Sequence, residues 1–428
     1  MKRVRIVGVG SAFPGELIDN QRLLDETNLG ADVTPEWIEQ KIGIKTRYSS
    51  VELPIDHDNM RPSEGNCNSD LCAKAARKAL AQAGLDVTDL ELILVATCTP
   101  DYPVPSTASI VQEKLGIDEC AAIDIRSACC GSTQAIVTAL QYLQTGYYSC
   151  AVVIGSETGS VFGNLTNKRN SFSRGDTVNA AMIGDGAAAC VLRAFPSVAF
   201  SRKQRQEQKA EDEAGERGIE IVYSKLNCIG KGKKPGMYIP GGGSLCPLNE
   251  KRVEEGLHYF KHDYRGVLAH GAELYLRALK DGLQGGGVAM GDVDLFIPHQ
   301  ANGKITEIAR KMGLPTDRIY SNFERVGNTA NASLLLCLDE VVQEDTLPEG
   351  AIIMMLAAES TKWLYGTLLL RYSSLKRHDN NEQEQKKVRL TKAKAGWVMK
   401  VFSIYFLPIF ISLFLFLQRL FTSKRHSQ

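Results

Sequence analysis

This 428-residue chain lacks any marked excess of positive or negative charge: 50 basic residues stand against 49 acidic ones, a formal net charge of +1. Overall electrostatics therefore give no footprint for a nucleic-acid partner. A secretory leader is missing too, since "MKRVRIVGVGSAFPG" has too short an apolar run and reads as a strand plus turn. Histidine is scarce, with seven residues, and the 11 cysteines show neither a pairing pattern nor the spacing of metal thiolates. Reduced thiols in a cytoplasmic enzyme without a metal are expected.

What is present is an α/β pattern from residue 1 to about 372. Aliphatic runs such as "VRIVGVG", "LELILVATC", "AAIDI", "CAVVIGS", "GAAACVLRA", "VDLFIPH", "AIIMMLAA" and "GTLLLRY" suit strands buried on both faces. Between them lie helical stretches. In "SDLCAKAARKALAQAGL" an apolar face of Cys72, Ala75, Ala76, Ala79, Leu80 and Ala83 opposes Lys74, Arg77 and Lys78, and Gly84 is a C-terminal cap. "VTDLELILVATCTP" and "MGDVDLFIPHQAN" share an acidic turn, an aliphatic strand and polar residues at the strand end, a faint sign of duplicated halves. The expected segments are 1–197, a charged surface insertion at 198–217, and 218–372.

The tail differs. A polar basic linker, 373–396, leads to a hydrophobic helix at 397–421, within which Val401–Leu417 is almost wholly apolar. Seventeen residues at ~1.5 Å each span about 25 Å, near the lower limit for crossing a bilayer. Trp397 and Tyr405 suit an interface, Pro408 leaves a kink open, and Lys386, Lys387, Arg389, Lys392, Lys394 and Lys400 outnumber Arg419, Lys424 and Arg425 beyond. The expectation is a membrane anchor with the body on the cytoplasmic face of the inner (cytoplasmic) membrane.

Chemistry points to "IDIRSACCGSTQAI". Adjacent cysteines make a strained disulfide and a poor metal site. They are either buried packing residues or a nucleophile with a neighbour. In a helix running back from Ile136, Leu140 and Leu143, Cys129 falls on the buried face and Cys130 about 100° away. A helix N-terminus there favours a thiolate. Of the histidines, His299 alone ends an apolar strand; His57, His258, His262, His270, His378 and His426 read as surface residues. Asn328 sits in a Gly-Asn turn, a weak signal alone.

"GVGSAFP", "EWIEQKIGIKTR", "LVATCTPDYPVPSTA", "DIRSACCGSTQA", "VIGSE", "IGDGAA", "IPHQAN" and "GNTANAS" follow one another in an order that resembles the 3-oxoacyl-[acyl-carrier-protein] synthase III family of the thiolase superfamily. The resemblance implies an α/β fold of thiolase-like duplicated halves in a layered αβαβα core, here extended by the C-terminal hydrophobic helix, and a homodimer. It implies an acyltransferase making carbon–carbon bonds: Cys129 takes an acyl group from acyl-CoA or acyl-ACP, and a malonyl-ACP or malonyl-CoA extender is decarboxylated with His299 and Asn328 stabilising the enolate. No metal or cofactor is implied. Trp37 and Lys41 match the mouth positions for the coenzyme A nucleotide, Val104 matches the pocket-gating position, and "IGDGA" is read as a structural turn.

Three departures stand out. The family's run of three glycines is replaced by Ser360-Thr361-Lys362, placing bulk and charge at the pocket. Val104 is smaller than the usual phenylalanine, leaving room for another acyl chain, and cannot be the glutamate base of olefin-forming relatives. Housekeeping members lack the tail. These favour specialised lipid or secondary-metabolite synthesis. The alternatives are an acyltransferase or non-decarboxylating condensing enzyme keeping Cys129, and a non-catalytic partner subunit, which the intact Cys, His and Asn oppose. The context of a papain-like protease and the glycine-rich loop of a type III polyketide synthase are not found. Removing residues 373–428 is expected to give soluble protein with unchanged turnover, checked by sedimentation and assay.

Overall fold

The computed structural model describes residues 1–376 except Asn28, Ala31, 54–60, 164–173, 197–216, Asn302 and Lys304, and leaves aside the side chains of 174–176, Tyr264 and Leu268. The expected insertion at 198–217, apart from Arg217, falls outside these residues. So do the linker beyond Lys376 and the hydrophobic helix at 397–421. Among the described residues no helix is long and apolar enough to cross a membrane.

All eight expected strands form. They are β1 (Arg3–Ala12), β4 (Leu92–Ala96), β5 (Ala121–Ile125), β6 (Cys150–Glu157), β7 (Gly186–Phe195), β11 (Leu295–Pro298), β12 (Ile352–Glu359) and β13 (Leu364–Arg371). A ninth long strand, β8 (Ile219–Cys228), was not foreseen. Short ribbons pair β2 (Leu17–Asp19) with β3 (Thr46–Tyr48) and β9 (Met237–Tyr238) with β10 (Lys261–His262). The nine long strands form one sheet in the order β11-β12-β13-β8-β1-β7-β6-β4-β5. Its two halves join where β1 meets β8, over only Arg5↔Glu220 and Ile6↔Ile219.

Alternation along the strands sorts side chains into layers. Leu92, Leu94 and Ala96 of β4 and Ile353, Met355 and Ala357 of β12 face a shared central core. The same core takes Ile136, Leu140 and Leu143 of the helix Gly131–Thr145 and Leu335, Leu338 and Val342 of the helix Ser333–Glu344. Ile93 and Val95 face outward to Leu71, Ala75 and Ala79 of the helix Asn68–Ala83, which ends at Gly84 with φ +66° as expected. Met354 and Leu356 face Leu274 and Ala278 of the helix Tyr264–Gly286. The result is helices, sheet half, two central helices, sheet half, helices: a mixed α/β fold in which residues 1–375 form one compact unit.

The sequence echo has a structural counterpart. Single turns at Val87–Asp89 and Met290–Asp292 precede β4 and β11. In each, an aspartate side chain accepts a backbone N–H three residues earlier, Asp86 N–Asp89 at 2.8 Å and Ala289 N–Asp292 at 2.9 Å. Each central helix is entered through a single turn whose first residue has a positive φ, Ala128 at +44° and Ala330 at +39°. Cys129 and Asn331 therefore hold corresponding places.

The central layer is tight where these turns meet β6. A Cβ on Gly155 would lie 2.1 Å from the Asn331 carbonyl oxygen. Gly155→Ala is expected to cost about 3 kcal/mol, the upper part of the overpacking range. Gly291→Ala, with no atom within 4 Å of its added Cβ, is expected to change stability by less than about 0.5 kcal/mol. Urea midpoints of both variants check this.

Candidate active site

The strand β5 runs into Arg126 and Ser127, then a single 3-10 turn, Ala128–Cys130, then the helix Gly131–Thr145. The left-handed Ala128 and the tighter turn shift the phase that an unbroken α-helix would have. The expected facing is thereby reversed. Cys130 is fully buried and packs in the core with Ile136, Leu140 and Leu143, whereas Cys129 is only partly covered. Gly131 is required just behind, because a Cβ there would lie 1.9 Å from Asn331 Oδ1.

Nor does the helix start make Cys129 a resting thiolate. Burial pushes its thiol well up, reinforced by Glu359, Cys98 and Glu157. Both glutamates end strands, Glu157 on β6 and Glu359 on β12. Burial raises the pKa of each. Glu157 accepts from Thr99 Oγ1 at 2.6 Å, from Cys98 N at 3.1 Å and from Asn331 Nδ2. Glu359 accepts from the backbone N–H groups of Thr361 (2.6 Å), Lys362 (3.1 Å) and Leu364 (2.8 Å), and from the Thr361 hydroxyl. The turn in place of three glycines is thus held by a carboxylate. Lys362 does not intrude: it is exposed and its Nζ donates to the Lys233 carbonyl at 2.6 Å.

His299 follows β11. Its N–H donates to Leu356 O of β12 at 2.7 Å, and its carbonyl accepts from the Tyr275 hydroxyl at 2.7 Å. The ring is 1 % exposed, its Nδ1 has no partner, and burial lowers its pKa to about 4. The imidazole is therefore neutral near pH 7. Asn328 lies two residues before the Ala330–Ala332 turn. Its Oδ1 accepts the Ala330 N–H at 2.9 Å, which fixes the amide so that Nδ2 is its donor end. The Cys129 turn packs on both β12 and the Ala330–Ala332 turn. The turn that carries Cys129 thus lies beside the strand to which His299 bonds and beside the turn that follows Asn328.

Trp37 and Lys41 share one face of the helix Pro35–Ile42, Trp37 half-buried and Lys41 exposed. That helix is clipped to the segment after His299 by Gly303 N donating to Ile42 O at 2.8 Å, and its capping Gly43, at φ +84°, touches Gly303. Val104 is 84 % exposed. His258 and His262 are half-buried rather than on the surface, and His262 Nδ1 lies 2.9 Å from Asn179 Oδ1. Asp185 of "IGDGA" is buried and accepts from Ser50 N (2.7 Å) and Ser160 N (2.9 Å), a structural use. Sequence reasoning gave no part to Glu157, Glu359 or Asn331. For the two glutamates the available signal was a polar residue ending an apolar strand.

Two family models match the chain: 3-oxoacyl-[acyl-carrier-protein (ACP)] synthase III over residues 123–202 and its C-terminal counterpart over 283–372. The β-ketoacyl-[acyl-carrier-protein] synthase III of Symbiobacterium thermophilum is 31% identical, covering 87% of this chain and 99% of its own. Among solved structures, the 3-oxoacyl-[acyl-carrier-protein] synthase III of Aquifex aeolicus superposes with a TM-score of 0.65 at 25% identity, covering 86% of this chain and 100% of its own. A tetronic acid condensing enzyme superposes with a TM-score of 0.72 at 26% identity, with the same coverages. Fold and site together define a thiolase-like condensing enzyme, an acyltransferase of the ketosynthase type. The chain belongs to the 3-oxoacyl-[acyl-carrier-protein] synthase III family.

The His299 ring makes a signed prediction. Unfolded, it takes a proton near pH 6.5; folded, only near 4. Between these values the unfolded state binds more protons, so stability falls as pH drops through that window and the loss saturates below it. The full term is about 3 kcal/mol. The unfolding free energy lost between pH 7 and 4.5, read from denaturant titrations, is expected to be smaller in His299→Gln by about 2 kcal/mol.

Proposed function

We propose that this chain is a decarboxylating ketosynthase in which Cys129 carries the acyl group. The reading is supported by one observation: the turn carrying Cys129 packs on the strand that holds His299, a neutral buried imidazole, and on the turn next to Asn328, an amide with its oxygen tied back. Both are hydrogen-bond donors without net charge, suited to a developing enolate oxygen.

Cys129 rests as a thiol among buried carboxylates, so its proton leaves as its sulfur attacks the thioester carbonyl of acyl-CoA or acyl-ACP. The departing thiolate of the carrier takes up a proton. A malonyl thioester then loses CO2, and His299 and Asn328 donate to the thioester oxygen on which charge accumulates. The enolate carbon attacks the acyl-Cys carbonyl, the carbon–sulfur bond breaks, and a 3-oxoacyl thioester is released. Trp37 and Lys41, on the helix clipped beside the His299 segment, receive the nucleotide end of the carrier.

A homodimer is supported by β5, an edge strand whose Ala121, Ala122 and Ile123 are only half-buried. A second copy there would cover an unpaired strand edge, and the exposed Val104 would act only if a second copy covered it. The membrane anchor at 397–421, on the cytoplasmic face of the inner membrane, is supported by its apolar run and flanking basic residues. A role in specialised lipid or secondary-metabolite synthesis is supported by that tail and by the likeness to the tetronic acid condensing enzyme.

Intact-mass labelling with an acyl-CoA panel is expected to show no acyl-enzyme in Cys129→Ala and most of it in Cys130→Ala. His299→Ala and Asn328→Ala are expected to be acylated still, while malonyl-dependent CO2 release falls by at least about 100-fold. Condensation without CO2 release would select the non-decarboxylating alternative.

A further inference from the structure

A second thiol cluster lies outside this site. Cys67 is the residue before the helix Asn68–Ala83, a capping place usually held by Ser, Thr, Asp or Asn. Its Sγ lies 2.8 Å from Asp70 Oδ2, 3.4 Å from Ser69 Oγ, 3.6 Å from Asp101 Oδ2 and 3.3 Å from Lys114 Nζ. Lys114, in the last turn of the helix Thr107–Leu115, is also 2.5 Å from Asp70 Oδ1. One carboxylate therefore receives both the S–H and the ammonium N–H, and holds sulfur and nitrogen against each other. The ion pair alone does not need a thiol, and a hydroxyl would cap the helix better.

We propose that Cys67 and Lys114 form a covalent nitrogen–oxygen–sulfur bridge on exposure to dioxygen. Lys114 first gives up one ammonium proton to solvent, which its partly exposed side chain reaches. The thiol and the amine then each lose one hydrogen. One oxygen atom of O2 is inserted between sulfur and nitrogen, and the other leaves as water with those two hydrogens. Sulfur and nitrogen each give up two electrons, and O2 accepts four. All three side chains are partly open to solvent, so dioxygen and thiol reductants can reach them.

The bridge would join two struts of the catalytic edge. Asn68, next to Cys67, donates to Thr97 Oγ1 (3.0 Å) and Thr99 Oγ1 (3.2 Å), and Thr99 in turn donates to Glu157. At the other end of the Lys114 helix, the N–H groups of Thr107 (2.7 Å) and Ala108 (2.8 Å) hold Asp124, on the strand leading to Cys129.

The test uses the full chain, purified anaerobically with reductant and then divided between anaerobic and air-saturated buffer. Peptide mass spectrometry of the aerated sample is expected to show one cross-linked species joining the Cys67 and Lys114 peptides, heavier by one oxygen and lighter by two hydrogens, and cleaved by dithiothreitol. Alkylation of Cys67 by iodoacetamide is expected to fall by at least about fivefold and to recover after reduction. Lys114→Arg keeps a cation opposite Asp70 but lacks a primary amine, and is expected to give no cross-link and unchanged alkylation. Absence of the cross-linked peptide, or an equal loss of alkylation in Lys114→Arg, would overturn the proposal by reducing it to simple sulfur oxidation.

Discussion

Asn331 touches every part that must stay in register. Its Oδ1 presses on Gly131 behind the two cysteines, its carbonyl presses on Gly155 in β6, and its Nδ2 donates to Glu157. The sheet halves share only two residue pairs where β1 meets β8, so these contacts in the central layer carry much of the alignment between thiol and imidazole. Glycine stands at both contact points because backbone and side-chain atoms approach within a methyl group's width.

The electrostatic character of the site follows from burial. Two strand-end glutamates and an imidazole are withdrawn from water and a thiol is partly so, and each is pushed toward its uncharged form. A neutral donor at His299 suits an oxygen whose charge appears only in passing, since nothing charged has to be held in its absence. The Tyr275 hydroxyl, from the outer helix Tyr264–Gly286, holds the His299 carbonyl. The outermost layer thereby reaches the His299 backbone through a hydrogen bond.

Much of the fold was legible because strands buried on both faces are spelled in Val, Ile, Leu and Ala. β8 was not, since Glu220, Lys225 and Asn227 interrupt its apolar residues and most of its side chains are half-covered. Cys129 was singled out by a helical phase that the backbone does not keep: spacing cannot reveal the left-handed Ala128, and that turn puts Cys130 in the core and Cys129 at the opening. Its motif neighbours pointed to the same residue without depending on phase. Glu359 was not singled out in the sequence. Its use depends on backbone N–H groups converging on it, which no residue pattern records. The exposure of Val104 was equally hidden, because a motif position does not report burial.

The Glu359 clamp alters what neighbouring positions are free to become. A glycine run bends by having no side chains, so any residue introduced there disturbs the bend. Here an internal anion supplies the rigidity, with Trp363, at φ +66°, as the one strained position. Residues 360–362 are thereby released from a backbone duty, and their side chains can change in size and polarity while the turn stays put.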